Sequence, residues 1–178
     1  GLFRAIAEQL PEQVTQRKKK PITINHIRTM DFPRGVLGLR DKTLLLLGFA
    51  TGMRRSELAA VKKEHIEVTE YGLRIRIPMS KSDQLGDGNS VDVIKAAMGR
   101  NQHHCPVEAV QELMLAHQNE YLFVRVRRDL TSGSYRKSNT LAEPNRFTDR
   151  PIDGNGVYRI IKKYGVQAGI APEDIGGH

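Results

Sequence analysis

"ATGMRRSEL", Ala50 to Leu58, follows the run Leu44-Leu45-Leu46-Leu47-Gly48-Phe49, and the junction between the two decides how the chain is read. Residues Lys42 to Ala50 are apolar on nearly every face of a helix, which places that helix, opened by Asp41, at the centre of a core. Thr51-Gly52 stops it. A second short helix is expected from about Arg55 to Val61, with Ser56 and Glu57 near its start, where a hydroxyl and a carboxylate suit unpaired amides and the helix dipole. Arg54 and Arg55 therefore stand where a buried element gives out. Guanidinium forks bind phosphate oxygens bidentately beside the free amides of a helix start, so a phosphate site is one reading. The other is a pair of surface arginines neutralised by Glu57 or Glu64.

Upstream, "GLFRAIAEQL" places Leu2, Phe3, Ile6 and Leu10 at helical spacing before Pro11. "EQVTQRKKKPIT" is polar and basic and reads as an exposed linker, in which Arg17, Lys18, Lys19 and Lys20 are stabilised by phosphates or simply by counterions. Thr23 is the expected N-cap of a short helix, and Pro33-Arg34-Gly35 breaks the chain before the apolar one.

Downstream of His65 the period changes to two. "LRIRIP" alternates Leu73, Ile75 and Ile77 with Arg74 and Arg76, and "SVDVI" alternates Val91 and Val93 with polar residues, around "KSDQLGDGN". A β-hairpin or small antiparallel sheet follows. Helix returns at Pro106, with Val107, Val110, Leu113 and Met114 on one face. Tyr121 to Val126 reads as a short strand or an extended turn, and Arg127 to Arg150, poor in apolar residues, as a long loop. Asp153 caps a last helix, with Val157, Ile160, Ile161 and Tyr164 on one face and Gly169 at its end. The sum is a mainly α chain with a small antiparallel β-sheet, an α+β class.

The 178 residues carry 28 Lys+Arg against 20 Asp+Glu, a formal net charge of +8. Polyanions are natural partners for such a chain, although a merely basic soluble protein has the same balance. One cysteine, Cys105, excludes an internal disulfide and fits a reducing compartment. No apolar stretch approaches the ~18 residues of a membrane span. The absence of tryptophan weakens base stacking on single strands and favours contacts to a duplex backbone. His103-His104-Cys105 lacks the usual spacing of paired metal ligands, and His26, His65 and His117 are likewise read as structural or surface residues. "DGNGVYR" lacks a phosphate-loop Lys-Ser/Thr, so no nucleotide site is expected.

"TGMRRSELAAVKKEHI" resembles the first signature of the tyrosine recombinase and phage integrase family, Thr-Gly, any residue, Arg, any residue, Ser-Glu-Leu. "IRIPMSKSDQ" resembles the hairpin segment with the family's catalytic lysine, "NGVYRIIKKYGVQAGI" the helix before its His-x-x-Arg motif, and "GGH" the start of that motif. The resemblance runs from Pro21 to His178. It implies a tyrosine recombinase catalytic-domain-like fold, incomplete on its C-terminal side. Residues 1–13 would be the tail of an N-terminal core-binding domain, 14–22 a basic interdomain linker and 23–178 a partial catalytic domain.

By the same register, Arg54 is the family's first catalytic arginine, on the non-bridging oxygens of the scissile phosphate. The resemblance implies that Lys81 would be the lysine that protonates the departing 5′ oxygen, and His178 the histidine of His-x-x-Arg. Glu57, at i+3 from Arg54, would support it. Arg55 falls on the variable position, a flanking contact to DNA, and Arg17, Lys18, Lys19 and Lys20 would hold duplex phosphates. The family's second arginine and its tyrosine nucleophile lie beyond the position of His178; Tyr71, Tyr121, Tyr135, Tyr158 and Tyr164 all precede it. The resemblance thus implies double-stranded DNA as partner, a homo-tetramer on DNA, no metal or nucleotide cofactor, no membrane, and a cytoplasmic, DNA-associated protein. A non-catalytic duplex DNA-binding or regulatory protein on the same scaffold is the alternative.

Overall fold

The computed structural model describes residues 19–77, 89–96, 102–128 and 145–176. In order, these form α1 (Ile24–Thr29), α2 (Val36–Thr51), α3 (Arg55–Ala60), β1 (Ile66–Thr69), β2 (Gly72–Arg76), β3 (Ser90–Ile94), α4 (Pro106–Ala116), β4 (Val124–Arg128), β5 (Asn145–Pro151) and α5 (Gly154–Gln167). Single 3₁₀ turns lie at Lys63–His65 and Gln102–His104. The architecture is α+β.

Helix α2 is the hub. Leu44, Leu45, Leu46 and Leu47 are all buried, so no face of this stretch meets solvent. The helix touches α1, α3, α4, α5, β3, β4 and β5. Each fully buried leucine contributes about 1.5–3 kcal/mol relative to an exposed one, which makes α2 the element whose position the others inherit. Its start corrects the expectation from sequence. The helix opens at Val36 after Gly35, more than a turn before Asp41, and Asp41 is buried inside it.

A buried carboxylate is costly unless it is paired and hydrogen-bonded, and Asp41 is both. Arg40 donates from Nε and Nη2 to Oδ1 at 2.8 and 2.6 Å. The Tyr164 hydroxyl of α5 donates to Oδ2 at 2.9 Å, and Lys163 Nζ lies 3.9 Å from the same oxygen. Burial and the Asp41 charge together raise the Tyr164 hydroxyl above the ordinary tyrosine range. What reads in sequence as a helix cap is therefore the ionic pin between α2 and α5.

Strands β1, β2 and β3 form an antiparallel sheet in that order, with Ile66, Ile75 and Val91 in register. Leu73, Ile75 and Val93 face the core, and Arg74 and Asp92 pair on the outer face at 2.8 Å. A second, two-stranded sheet pairs β4 with β5. It corrects the loop expected over Arg127–Arg150: residues 145–151 are a strand, because Phe147 turns inward against the ring of His117, with centroids 4.7 Å apart, and Thr148 Oγ1 donates to Arg125 O at 2.9 Å. The short helix capped by Thr23 and the final helix capped by Asp153 stand where the sequence put them, the latter with Asp153 Oδ1 accepting from Gly156 N–H at 2.6 Å.

Candidate functional site

The junction after α2 is built so that one residue is turned outward between two that are locked in. Thr51 Oγ1 donates to Leu47 O at 2.8 Å and accepts from Met53 N–H at 3.3 Å. Gly52, at φ 64°, reverses the chain, its amide donating to Gly48 O at 2.9 Å. Only glycine adopts that left-handed geometry without strain. Met53 then enters the core at 4% exposure, and Leu58, one turn into α3, is buried at 1%. Arg54 lies between them as the N-cap residue of α3, in extended conformation, and its carbonyl accepts from Leu58 N–H at 2.9 Å.

The Arg54 side chain is 68% exposed, while that of Glu57 is 18% exposed. Glu57 Oε2 accepts from the Arg54 backbone N–H at 2.7 Å, and Oε1 lies 3.6 Å from Arg54 Nη1. An ion pair this open to solvent stabilises the fold by only about 0–1 kcal/mol. Its use is geometric: one carboxylate holds the backbone and one edge of the guanidinium, and most of the fork stays open to an anion.

Arg55, at the first turn of α3, lies over the ring of Tyr158, 5.6 Å from the centroid. The starts of α3 and α5 meet here, since a Cβ built on Gly154 would stand 3.8 Å from Ser56 N. Arg125 joins the same surface, donating from Nη2 to Asp153 Oδ2 at 3.2 Å. From Arg125 the charge continues along the β4–β5 ribbon, where Arg127 stands directly opposite Arg146 and Arg150 is exposed further along β5. Like charges facing each other across strands are destabilising, an arrangement that suits a surface meeting a polyanion. The sequence reading missed this ribbon. The signal was present in the alternation "VRVRR", whose first three residues were read as part of a short strand or extended turn, and in "NRFTDR", read as loop for want of apolar residues.

Lys19 and Lys20 are exposed, but both engage the far end of the chain. Lys19 Nζ donates to Glu173 O at 2.6 Å, and Lys20 Nζ lies 3.4 Å from Asp174 Oδ2. Arg17, Lys18, Lys81 and His178 lie outside the described residues, so the structure brings together Arg54, Glu57 and Arg55 of the expected site and leaves the placement of the other four open.

Lys63 closes the C-terminal end of α4, donating from Nζ to Met114 O at 2.7 Å and to His117 O. Its burial lowers its pKa. Burial, and secondarily the Lys63 charge, lower that of His117 as well. His117 Nε2 lies 3.1 Å from Leu122 O.

The family model described as "Phage integrase family" matches residues 24–178. The chain belongs to the phage integrase family. This is the family of the tyrosine recombinases, site-specific recombinases acting on DNA. A relative in Selenomonas ruminantium, described as "Integrase/recombinase xerD homolog", is 30% identical over 183 residues, covering 100% of this chain and 49% of the relative. The chain thus spans about half the length of that relative. A solved XerA recombinase aligns with a TM-score of 0.49 at 18% identity, over 88% of this chain and 47% of the other.

In this integrase-family chain the His103-His104-Cys105 stretch diverges: His103 is exposed, His104 half-buried, and Cys105 buried with Sγ accepting from Ala96 N–H at 3.3 Å. Among the described residues no three His, Cys, Asp or Glu side chains gather as a metal set, and no helix is long and apolar enough to cross a membrane.

Proposed function

We propose that this chain supplies the catalytic-domain half of a DNA breaking-and-rejoining reaction, site-specific recombination through a 3′-phosphotyrosine intermediate. The observation that carries this reading is Arg54, held by Glu57 and aimed outward between buried Met53 and Leu58, at the head of a basic surface running through Arg55 and Arg125 onto the β4–β5 ribbon. Arg54 binds the non-bridging oxygens of the scissile phosphate as a fork, and a preorganised donor of this kind contributes about 2.7–4 kcal/mol to transition-state stabilisation. Lys81 protonates the leaving 5′ oxygen, and His178 donates to the same phosphate. Glu57 orients Arg54. Arg17, Lys18, Lys19, Lys20 and Arg55 bind phosphates of double-stranded DNA, which makes affinity fall steeply with salt.

The second arginine and the tyrosine nucleophile come from sequence following His178, and the 178 residues alone form no covalent adduct. In the whole protein four protomers act on two sites, in the cytoplasm and on phage or mobile-element DNA. Bond energy is kept in the phosphotyrosine link, so neither metal nor nucleotide takes part. The second reading, a non-catalytic duplex binder, draws on the Arg54–Glu57 ion pair, in which the arginine serves fold and affinity alone.

A nicked suicide duplex resolved on a denaturing gel separates the two. The protein carrying its natural continuation past His178 is expected to give a protein–DNA band that Arg54→Ala abolishes, while the 178-residue chain gives none. A band from the 178-residue chain, or one insensitive to Arg54→Ala, overturns this assignment.

A further inference from the structure

Asp153 stands among arginines. The Arg125 guanidinium donates from Nη2 to its Oδ2 at 3.2 Å, and the next residue, Gly154, is so near Arg55 that a Cβ built on it would lie 3.7 Å from Arg55 Cγ. Arg127, two residues on from Arg125, shares the outward face of β4 and stands opposite Arg146. Both members of the Arg125–Asp153 pair are open to solvent, with side chains 53% and 58% exposed.

Capping α5 does not account for the whole of the Asp153 side chain. Oδ1 alone accepts from Gly156 N–H, at 2.6 Å, and asparagine or serine caps a helix about as well as aspartate. The helix dipole favours a negative charge at this point, which bears on the stability of α5 and not on Arg125. Oδ2 is left for the guanidinium. The Arg125 backbone, by contrast, is fixed: its carbonyl accepts from Thr148 Oγ1 at 2.9 Å, and the neighbouring Val124 is fully buried. With its backbone held and its side chain in solvent, Arg125 can turn from one anion to another while the ribbon stays in place.

We propose that Asp153 competes with the DNA backbone for Arg125: in the free protein the carboxylate occupies the guanidinium that passes to a phosphate when duplex binds. The inference rests on the reading of duplex DNA as partner and is independent of the chemistry at Arg54. Its consequence is a tempered surface. Non-specific affinity for duplex comes from arginine and lysine contacts to phosphates, so a carboxylate set inside a run of arginines lowers affinity for DNA of any sequence. An exposed ion pair is weak, and surrendering the guanidinium to a phosphate therefore costs only a small factor in Kd.

Anisotropy of a labelled random-sequence duplex tests this in the protein carrying its natural continuation, at about 0.15 M salt, where charges more than about 8 Å apart are largely screened. Asp153→Asn is expected to tighten Kd roughly 2- to 5-fold. Asp153→Ser, which also caps the helix, is expected to do the same, and matching urea midpoints show that neither gain comes from altered folding. Arg125→Ala is expected to lower the slope of log K against log salt by about 0.9. In that background Asp153→Asn is expected to have almost no effect, because the carboxylate no longer has a guanidinium to withhold. A gain of equal size in both backgrounds means that Asp153 merely repels phosphates and overturns the proposal, as does the absence of a gain in the parent or an unchanged salt slope in Arg125→Ala. If none of these proteins binds duplex, the DNA reading falls and this inference with it. If the Asp153 gain depends on Arg125 in a protein that forms no adduct with the nicked duplex, the competition stands and only the recombinase chemistry is refuted.

Discussion

Replacing Asp41 with alanine tests the ionic pin between α2 and α5. The substitution leaves the Arg40 guanidinium, on a residue 8% exposed, with Val124 O at 3.4 Å as its remaining partner among the described residues, and takes the acceptor from the Tyr164 hydroxyl. Breaking a buried charge pair from one side costs about 3–5 kcal/mol. At about 2–4 °C per kcal/mol for a chain of this size, the thermal midpoint should fall by about 6–20 °C. Tyr164→Phe removes one neutral donor to a charged acceptor and should cost less, about 1.5–3 kcal/mol. The double variant should be no less stable than Asp41→Ala alone, because the hydroxyl has already been deprived of its acceptor. Calorimetry or urea unfolding of the four proteins reads the cycle. A midpoint for Asp41→Ala within about 2 °C of the parent would refute the reasoning, since it would mean that the carboxylate is neither buried nor needed by Arg40.

Three further outcomes are expected. Gly52→Val places a β-branched residue at φ 64° and should lower stability by at least about 1–2 kcal/mol, seen as an earlier urea midpoint. The folded pKa of His117 lies below that of a free imidazole, so the unfolded chain binds more protons as pH falls through about 6.5. Stability is therefore full near neutrality and declines toward acid pH; His104, lowered chiefly by burial, adds to the decline with the same sign. Urea midpoints measured at about pH 7.5 and about pH 5.5, on either side of the free-imidazole value, should differ less in His117→Gln than in the parent. On the ribbon, Arg127→Ala with Arg146→Ala should lower the salt slope of duplex binding by about 0.9 for each phosphate no longer neutralised, measured by anisotropy across a salt series.

Local signals in the sequence carried the pieces whose causes are local. Thr23 and Asp153 cap their helices because a short side-chain oxygen reaches the free amides wherever the chain turns into a helix. The alternation around Leu73, Ile75 and Val93 announced the sheet because one of its faces is buried. Asp41 was misread because a charged residue ahead of an apolar run looks like a cap, and its partner Tyr164 is 123 positions away. The strand over 145–151 escaped notice for a related reason: its inward residue, Phe147, packs on a histidine rather than within an apolar run. At the site, the Arg54–Glu57 relation was legible from i+3 spacing, whereas the ion pair of Lys20 with Asp174 depends on a fold that returns residue 174 to residue 20.

The setting of Arg54 between Met53 and Leu58 also bears on how variants of this protein should be interpreted. Since the direction of that guanidinium is inherited from two side chains sunk in the hydrophobic interior, exchanging Met53 for a smaller or polar residue would swing the arginine without touching DNA. On the proposed phosphate-binding role of Arg54, such a variant would score as a chemistry defect in a functional screen. On the proposed reading of Arg54, core and phosphate site are in this respect one unit, and a change in either must be matched in the other before the protein can drift in sequence.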